Sequence, residues 1–397
     1  METDPATHSA ISGDEAQRIA NRGNGGRRGA QRIAIRGNGE RRGAQRIANR
    51  GNGGRDDASD VTRQWQGRRV LVIGDIVADE HVTGRPHRIA REAPVLVLEH
   101  TGSTLNPGGA TNVAANLVAL GARVALAGVV GDDQTGRELV IGLRDRGMDV
   151  AGVMVDPSRP TTTKTRIWAA GAQQQAQQLV VRLDRLDNRP LDPAVITPLV
   201  AYLEHAILET DAIVISDYEN GVIHPEIIEA CLPVARARGV TVVVDAHGGL
   251  ARFRGATIFT PNQPEAETEL GHSLTGDAGV ETGARTLLDR LDAKAILITR
   301  GQEGMTLVTR DRPGAFHIAA HTMPAVDPTG AGDTVAATFT LAWLAGADAS
   351  IAATLANTAA SIAVSQAGTI AVTAAELRQT IAARRLPHAS TPPPRRP

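Results

Sequence analysis

Short, uninterrupted apolar runs recur along the chain from about residue 68 onward. They lie at residues 70–73, 124–130, 212–215, 240–244, 256–259 and 295–298. A continuous apolar run is typical of a strand that is buried on both faces. Helix-forming stretches separate these runs, at residues 110–120, 135–146, 193–209, 225–238 and 280–291. The alternation predicts an α/β fold: a doubly wound, mainly parallel sheet with helices on both faces.

Two segments, at about residues 88–100 and 161–184, do not follow this alternation. Both contain strand-like sequence without an intervening helix. We expect their strands to leave the main sheet and to pair with each other as a small β lid. Ligands of open α/β sheets bind beyond the carboxyl ends of the strands, so the lid would cover that edge.

The two ends of the chain differ from the middle. Residues 1–66 contain a 14-residue Arg/Gly/Asn-rich repeat that starts at Ala16, Ala30 and Ala44. It offers too little apolar surface to offset the entropy of ordering, so we expect disorder there and in the proline-rich segment 387–397. The folded domain is predicted at residues 67–386. An Arg/Gly tail could bind nucleic acid, but no aromatic residues are interleaved for base stacking, and a tandem duplication or a wrong start site is the simpler interpretation.

Composition narrows the class of protein. The 397 residues carry a formal net charge of −1, which favours neither a nucleic-acid nor a membrane partner. No apolar run approaches the ~18 residues of a membrane span, and the first residues lack the apolar core of a signal peptide. Cys231 is the only cysteine, which excludes an internal disulfide and favours a reducing, cytoplasmic location.

The segment Asp327–Thr334, with the sequence DPTGAGDT, carries the clearest chemical signal. Its small residues, Gly330, Ala331 and Gly332, would let backbone N–H groups converge at the start of a helix, where an anion binds well. Asp333, beside this nest, could accept a proton from a hydroxyl that attacks phosphorus. The alternative is a glycine-rich turn in which Asp333 is only a helix cap.

A second motif, Gly108-Gly109-Ala110-Thr111-Asn112, favours the catalytic interpretation of Asp333 over the helix-cap interpretation. Together the two motifs resemble the ribokinase, or PfkB, family of carbohydrate kinases, and the resemblance covers residues 69–382. Within that family the chain is most similar to the D-glycero-β-D-manno-heptose 7-phosphate kinases. That similarity is carried by residues 74–79, 88–95, 179–184 and 216–218.

The resemblance implies a role for each matching position. Asp333 would be the catalytic base, with the amides of Gly330, Ala331 and Gly332 as the anion hole. The sugar would be held by Asp75, Gly108, Gly109, Asn112, Arg166 and Asp217. ATP would contact Asn262, Thr299, Arg300, Gly301, Gly304, Asn357 and Gly368. Mg²⁺ would be placed by Asn262 and Glu265, and a monovalent cation such as K⁺ would lie beside Asp327 and Thr329. Members of the family often dimerise through the lid, and the apolar positions Val95, Val97 and Ile167 permit a homodimer here.

Some positions depart from the heptose kinase pattern. Glu219-Asn220 and Ala246-His247 stand where those kinases usually carry lysines, so two cations for a substrate phosphate are missing or weakened. Lys164, Arg166, Arg88 and Arg91 are the remaining candidates. Ribose, a nucleoside or a fructose phosphate therefore stay open as substrates, as does a non-catalytic sugar-binding role. We expect only the kinase step, because the folded part contains no His-x-Gly-His motif of a nucleotidyltransferase.

Overall fold

The computed structural model describes residues 58–170, 177–321, 327–366 and 368–385. Its strands are β1 Arg69–Gly74, β2 Ile76–Ile89, β3 Leu96–Gly109, β4 Arg123–Gly131, β5 Asp149–Asp156, β6 Thr163–Ala170, β7 Gln177–Arg185, β8 Ala212–Asp217, β9 Thr241–Ala246, β10 Ile258–Phe259, β11 Ala295–Thr299, β12 Met305–Thr309 and β13 Phe316–Ile318. Its helices are α1 Ala58–Arg63, α2 Ala110–Ala119, α3 Gln134–Asp145, α4 Pro193–Ala206, α5 Pro225–Arg238, α6 Gln263–Leu270, α7 Gly276–Arg290, α8 Ala331–Leu344, α9 Ala349–Val364 and α10 Ala374–Arg385.

Within the described residues, the large sheet has nine strands in the order β13-β12-β11-β10-β9-β8-β1-β4-β5. All neighbours from β11 to β5 pair in parallel. The edge strands β12 and β13 are antiparallel. The predicted mainly parallel sheet is confirmed, and all six strands predicted from the apolar runs belong to it.

Helices cover both faces of this sheet. Val70 and Val72 of β1 belong to an apolar cluster with residues of α2, α8 and α9. Leu71 and Ile73 belong to a second cluster with residues of α4, α5 and α7. Successive side chains of a strand point to opposite faces, so a strand between two helical layers must be apolar at every position.

The lid is a separate sheet of four strands among the described residues, in the order β3-β2-β6-β7. β2 and β3 form a long antiparallel pair that starts with Ile76 opposite Gly109, and β6 pairs with β2 in parallel. The predicted lid is confirmed, but the expected direct pairing of its two segments is wrong: β2, which the sequence did not predict as a strand, lies between β3 and β6. The polar strand β2 follows β1 directly, and β3 leads into α2, so the lid and the main sheet meet at residues 75 and 109.

The folded part begins before the predicted boundary at residue 67. Helix α1 lies inside the segment expected to be disordered, and Val61 and Trp65 are buried at 2% and 0% exposure. These two side chains pack in the apolar cluster that contains α2 and α9. The tandem repeats and the segment 387–397 lie outside the described residues. Among the described helices, none combines the length and the apolar character that a membrane span requires.

Candidate active site

A cavity of about 870 Å³ opens at the carboxyl edge of the main sheet. Its wall is formed by the residues that follow β8, β9, β10 and β11, together with the start of α8 and the middle of α9. This edge is where open α/β sheets bind their ligands. The predicted site residues that line the cavity are Asn262, Glu265, Thr299, Arg300, Gly301, Gly304, Gly330, Ala331, Gly332, Asp333 and Asn357.

Asp333 lies in the first turn of α8 and is 3% exposed. Asn112 Nδ2 donates to its Oδ2 at 2.6 Å, and the Tyr218 hydroxyl donates to its Oδ1 at 2.9 Å. Burial, together with the charge of Asp245, raises the pKa of Asp333 to about 7, against the lowering effects of those two hydrogen bonds and of Lys164. A carboxyl group that titrates near neutral pH is suited to exchange a proton with a sugar hydroxyl.

The turn before α8 exposes backbone N–H groups to the cavity. Gly330 caps the helix at φ 79°, and a Cβ there would lie 2.5 Å from Asn112 Nδ2, so the position requires glycine. A Cβ at Gly332 would meet no described atom within 4 Å, so this backbone is open to a ligand. The Ala331 N–H, predicted to join the anion hole, instead donates to Pro328 O at 3.3 Å. The amides of Gly332 and Asp333 remain at the positive end of the helix.

Asp75 serves the loop that carries Tyr218. Its carboxylate accepts from the backbone N–H groups of Tyr218, Asn220 and Val222, at 2.7, 3.1 and 3.2 Å. It is 1% exposed, and burial raises its pKa to about 6. Asp75 therefore holds the loop that carries Tyr218, and its predicted contact with the sugar stays a prediction. Gly108 and Gly109 are also buried, and Gly109 (φ 56°) is the residue at which β3 turns into α2.

Two predicted sugar contacts are engaged in ion pairs within the protein. Asp217, at the end of β8, is 2% exposed and pairs with Arg252. Arg166, on lid strand β6, pairs with Asp79 of β2. The first pair joins the end of β8 to the segment after β9, and the second joins two strands within the lid. Neither side chain lines the cavity.

The start of α6 provides the candidate Mg²⁺ site. Asn262 and Glu265 form a capping box, with Glu265 N donating to Asn262 Oδ1 at 2.9 Å and Asn262 N donating to Glu265 Oε2 at 2.8 Å. Burial raises the pKa of Glu265 to about 7 and that of neighbouring Asp245 to about 6. No cluster of three acidic, His or Cys ligands was found among the described residues. The residues nevertheless fit Mg²⁺, which keeps waters and phosphate oxygens as most of its ligands.

Six of the seven predicted nucleotide residues line the same cavity as Tyr218, and the seventh, Gly368, does not. Thr299 is bridged to Asn262, and Asn357 Nδ2 donates to Ala319 O at 3.0 Å. The Arg300 side chain is 4% exposed, and it pairs with Asp277 at 2.6 Å and with Glu303. Its guanidinium therefore already has carboxylate partners.

The predicted monovalent-cation residues form a small cluster with Gly368. Asp327 accepts from Thr329 N at 2.9 Å and from Gly368 N at 3.1 Å. Burial of Asp327 acts in the opposite direction, but these hydrogen bonds and the charge of Arg166 keep its pKa below the usual value. Gly368, predicted near the adenine, is thus tied to Asp327 and does not line the cavity.

Lys164 is among the candidate cations that the sequence predicts for a substrate phosphate, but the sequence does not predict that Tyr218 or Asp245 acts on Asp333. The Tyr218 hydroxyl donates to Asp333, its ring centroid lies 4.2 Å from that of His247, and Lys164 Nζ lies 5.2 Å from its ring centroid. The position of Asp245 at the end of β9 was the available signal. The contacts of Tyr218 depend on the loop held by Asp75, which local sequence does not reveal.

A family model supplies the observation that decides the class of protein. The model of the pfkB family carbohydrate kinases matches residues 68–376. The chain belongs to the pfkB family. It is a carbohydrate kinase, a phosphotransferase whose acceptor is a sugar hydroxyl. The match starts just before β1 and extends into α10, so it includes both sheets and the whole cavity.

Curated relatives of this pfkB-family kinase are named "Bifunctional protein HldE". The protein from Geobacter metallireducens is 44% identical over 288 residues, which are 72% of this chain and 57% of the relative. The protein from Caulobacter vibrioides is 42% identical over 299 residues, which are 74% and 59% of the two chains. The chain thus matches somewhat more than half of the length of these relatives.

Solved structures show the same fold. Phosphofructokinase-2 from Escherichia coli in complex with potassium has a TM-score of 0.64 at 20% identity, covering 80% of this chain and 99% of that one. Ribokinase from Arabidopsis thaliana complexed with ribose and ATP has a TM-score of 0.61 at 17% identity, with 80% and 99% covered. The ribokinase-like fold predicted from the sequence is confirmed.

Proposed function

We propose that this kinase transfers the γ-phosphoryl group of ATP to the anomeric hydroxyl of D-glycero-β-D-manno-heptose 7-phosphate, which gives the 1,7-bisphosphate. The observation that carries the proposal is the identity of up to 44% to the HldE proteins over the kinase-length region. The heptose-kinase-like segments at residues 74–79, 88–95, 179–184 and 216–218 support it.

Asp333 is the proposed catalytic base. Asn112 and Tyr218 each donate one hydrogen bond to a different carboxylate oxygen of Asp333. Each of these oxygens keeps a second lone pair that can accept from a sugar hydroxyl. As the hydroxyl oxygen attacks phosphorus, its proton moves to Asp333. The Gly332 and Asp333 amides stabilise the negative charge on the transferring phosphoryl oxygens.

Mg²⁺ would be held near Glu265 and Asn262, and it would neutralise charge on the phosphates of ATP. Glu265 can serve both the capping box and the ion because its second carboxylate oxygen is not used by the box. K⁺ beside Asp327 and Thr329 is part of the same proposal. The solved phosphofructokinase-2 contains potassium, and the solved ribokinase contains ATP.

We place the reaction in the cytoplasm and the protein in a homodimer formed through the lid. Several lid side chains support the dimer because they are apolar and exposed: Ile89 58%, Val95 56%, Val181 48% and Leu183 64%. Light scattering of the purified chain tests this. A monomer at assay concentrations, or a dimer that persists when Val95 and Leu183 are changed to Lys together, contradicts the lid interface.

A substrate panel with ADP release as the measurement tests the proposed activity. It includes heptose 7-phosphate, the unphosphorylated heptose, ribose, fructose 6-phosphate and a nucleoside, each with MgATP. We expect the highest kcat/KM with heptose 7-phosphate and a new anomeric phosphate signal in the ³¹P NMR spectrum of the product. A higher kcat/KM with any unphosphorylated sugar would overturn the assignment.

A further inference from the structure

Lys164 is one of only two lysines among the 42 basic residues of the chain, and the other is Lys294. It lies on lid strand β6, opposite Asp79 of β2 and Asp184 of β7. Residues opposite each other on neighbouring strands share a face, so two carboxylates flank this lysine. Both are already paired with arginines: Asp79 with Arg166, and Asp184 with Arg182 at 2.9 Å.

The ammonium of Lys164 is therefore left without a carboxylate. In the parts of the chain that the structure describes, no hydrogen bond or ion pair joins it to another residue. Its Nζ lies 5.2 Å from the centroid of the Tyr218 ring, and its charge also acts on Asp333 and His247. The hydroxyl of that same ring donates to Asp333. Lys164 thus extends from the lid to the aromatic side chain that borders the catalytic base.

The other candidate cations are either ion-paired within the protein or exposed on the lid. Arg166 and Arg252 are paired with the buried carboxylates Asp79 and Asp217. Arg88 and Arg91 are exposed on the lid. Two positions at which the heptose kinases usually carry a lysine hold Glu219 and His247 in this chain. Glu219 is acidic, and partial desolvation together with the charge of Lys164 lowers the pKa of His247, which disfavours its positive form. A substrate phosphate near Tyr218 would lie beside the charge of Lys164.

On the basis of the proposed function, we infer that Lys164 binds the phosphate group that the sugar carries before the reaction, and so selects phosphorylated over unphosphorylated sugars. Because Lys164 lies on a lid strand, its ammonium gains an anionic partner only when the sugar phosphate is present beneath the lid. Selection of the phosphorylated sugar is therefore coupled to closure of the lid. A compact ammonium suits a single phosphate as a point charge.

Steady-state kinetics of Lys164→Met in the full chain test this role, with Lys294→Met as the matched control on an exposed lysine. Methionine keeps the apolar stem over Tyr218 and removes the charge. The assay is run at about pH 9, where Asp333 stays ionised with or without the charge of Lys164. We expect KM for heptose 7-phosphate to rise by about 10- to 100-fold, with a smaller change in kcat, and KM for unphosphorylated heptose to stay near that of the wild type. Lys164→Arg should recover part of the loss.

Two kinetic results would overturn the inference. Unchanged discrimination in Lys164→Met, while the wild type prefers heptose 7-phosphate, removes Lys164 from phosphate recognition and leaves the proposed function intact. An equal fall in kcat for both sugars in Lys164→Met would show that the ammonium acts on the transferring phosphoryl group instead of on the phosphate that the sugar already carries. A wild type that acts only on unphosphorylated sugars overturns both the proposed function and this inference.

Chemical labelling gives a second measurement on the unaltered protein. Lysine acetylation can be followed by mass spectrometry at both lysines at once. Heptose 7-phosphate should protect Lys164 several-fold and leave Lys294 unprotected, and the unphosphorylated heptose should protect neither. Equal protection of Lys164 by the two sugars would contradict recognition of the phosphate.

Discussion

The Tyr218 hydroxyl donates a hydrogen bond of 2.9 Å to Asp333 Oδ1, and this bond joins the loop after β8 to the first turn of α8. The carboxylate of Asp75 fixes the backbone of Tyr218 by accepting a hydrogen bond of 2.7 Å from its N–H group. The proposed base is therefore positioned by a residue 115 positions away in sequence. The same contact controls how easily Asp333 ionises.

Replacing Tyr218 with Phe should shift the pH dependence of the reaction. The bond stabilises the ionised carboxylate, so its loss raises the pKa of Asp333 further above 7 and moves the acidic limb of kcat/KM upward, by about one pH unit. Asn112, Lys164 and Asp245 also act on this carboxyl and remain in the variant. Tyr202, the only other tyrosine of the chain, provides Tyr202→Phe as the control. An acidic limb that does not move would remove Tyr218 from control of the base.

Glu265→Gln should raise the Mg²⁺ concentration needed for half-maximal activity by about tenfold or more, because a charged ligand is lost from a site with few protein ligands. The melting temperature should change little, since glutamine can replace glutamate in a capping box. Glu229→Gln, on the exposed side of α5, is the matched control. A normal Mg²⁺ dependence in Glu265→Gln would contradict the metal assignment.

The start of the folded domain can be tested by two truncations. A chain that begins at Ala58 keeps α1 and the fully buried Trp65, whereas one that begins at Gly67 loses both. We expect the second chain, and the variant Trp65→Ala, to be destabilised by about 3–5 kcal/mol in denaturant unfolding, the usual cost of removing a buried aromatic side chain. Equal unfolding midpoints for the two truncated chains would show that α1 does not stabilise the domain.

Asp333→Asn should make the protein more stable at alkaline pH. Folding raises the pKa of Asp333 from 3.8 to about 7, so the folded state holds this proton more tightly than the unfolded state does. The unfolding free energy therefore falls as pH rises from about 4 to 7, and the loss is complete above the folded pKa. Asparagine cannot ionise, so we expect a higher melting temperature than the wild type at pH 8 and a smaller difference at pH 5. A gain that is larger at pH 5 would contradict this linkage.

The sheet was predictable because its signal is local. A strand between two helical layers is apolar throughout, as in 212–215, and needs no knowledge of its partners. The lid strand β2 was missed because it is polar and contains Gly84 and Pro86, which disfavour strands. Its long antiparallel pairing with β3 outweighs that preference.

The candidate site was predictable where a motif carries its own geometry, as with Gly330 and Asp333 at the start of α8. It was less predictable where a side chain pairs with a residue that is far away in sequence. Arg166 and Asp217 could equally have faced a ligand, but Asp79 and Arg252 neutralise them within the protein. Burying such charges in pairs avoids the large desolvation free energy of burying them alone. Which residues form the pairs depends on tertiary contacts, which local sequence does not reveal.

The most direct test is the turnover of Asp333→Asn with heptose 7-phosphate and saturating MgATP, measured together with ATP binding. Loss of a general base costs about 10²- to 10⁴-fold in kcat, and the amide keeps the shape of the site, so ATP affinity should stay within a few-fold of the wild type. A variant that binds ATP normally and turns over at a rate close to that of the wild type would contradict the role of Asp333 as the base.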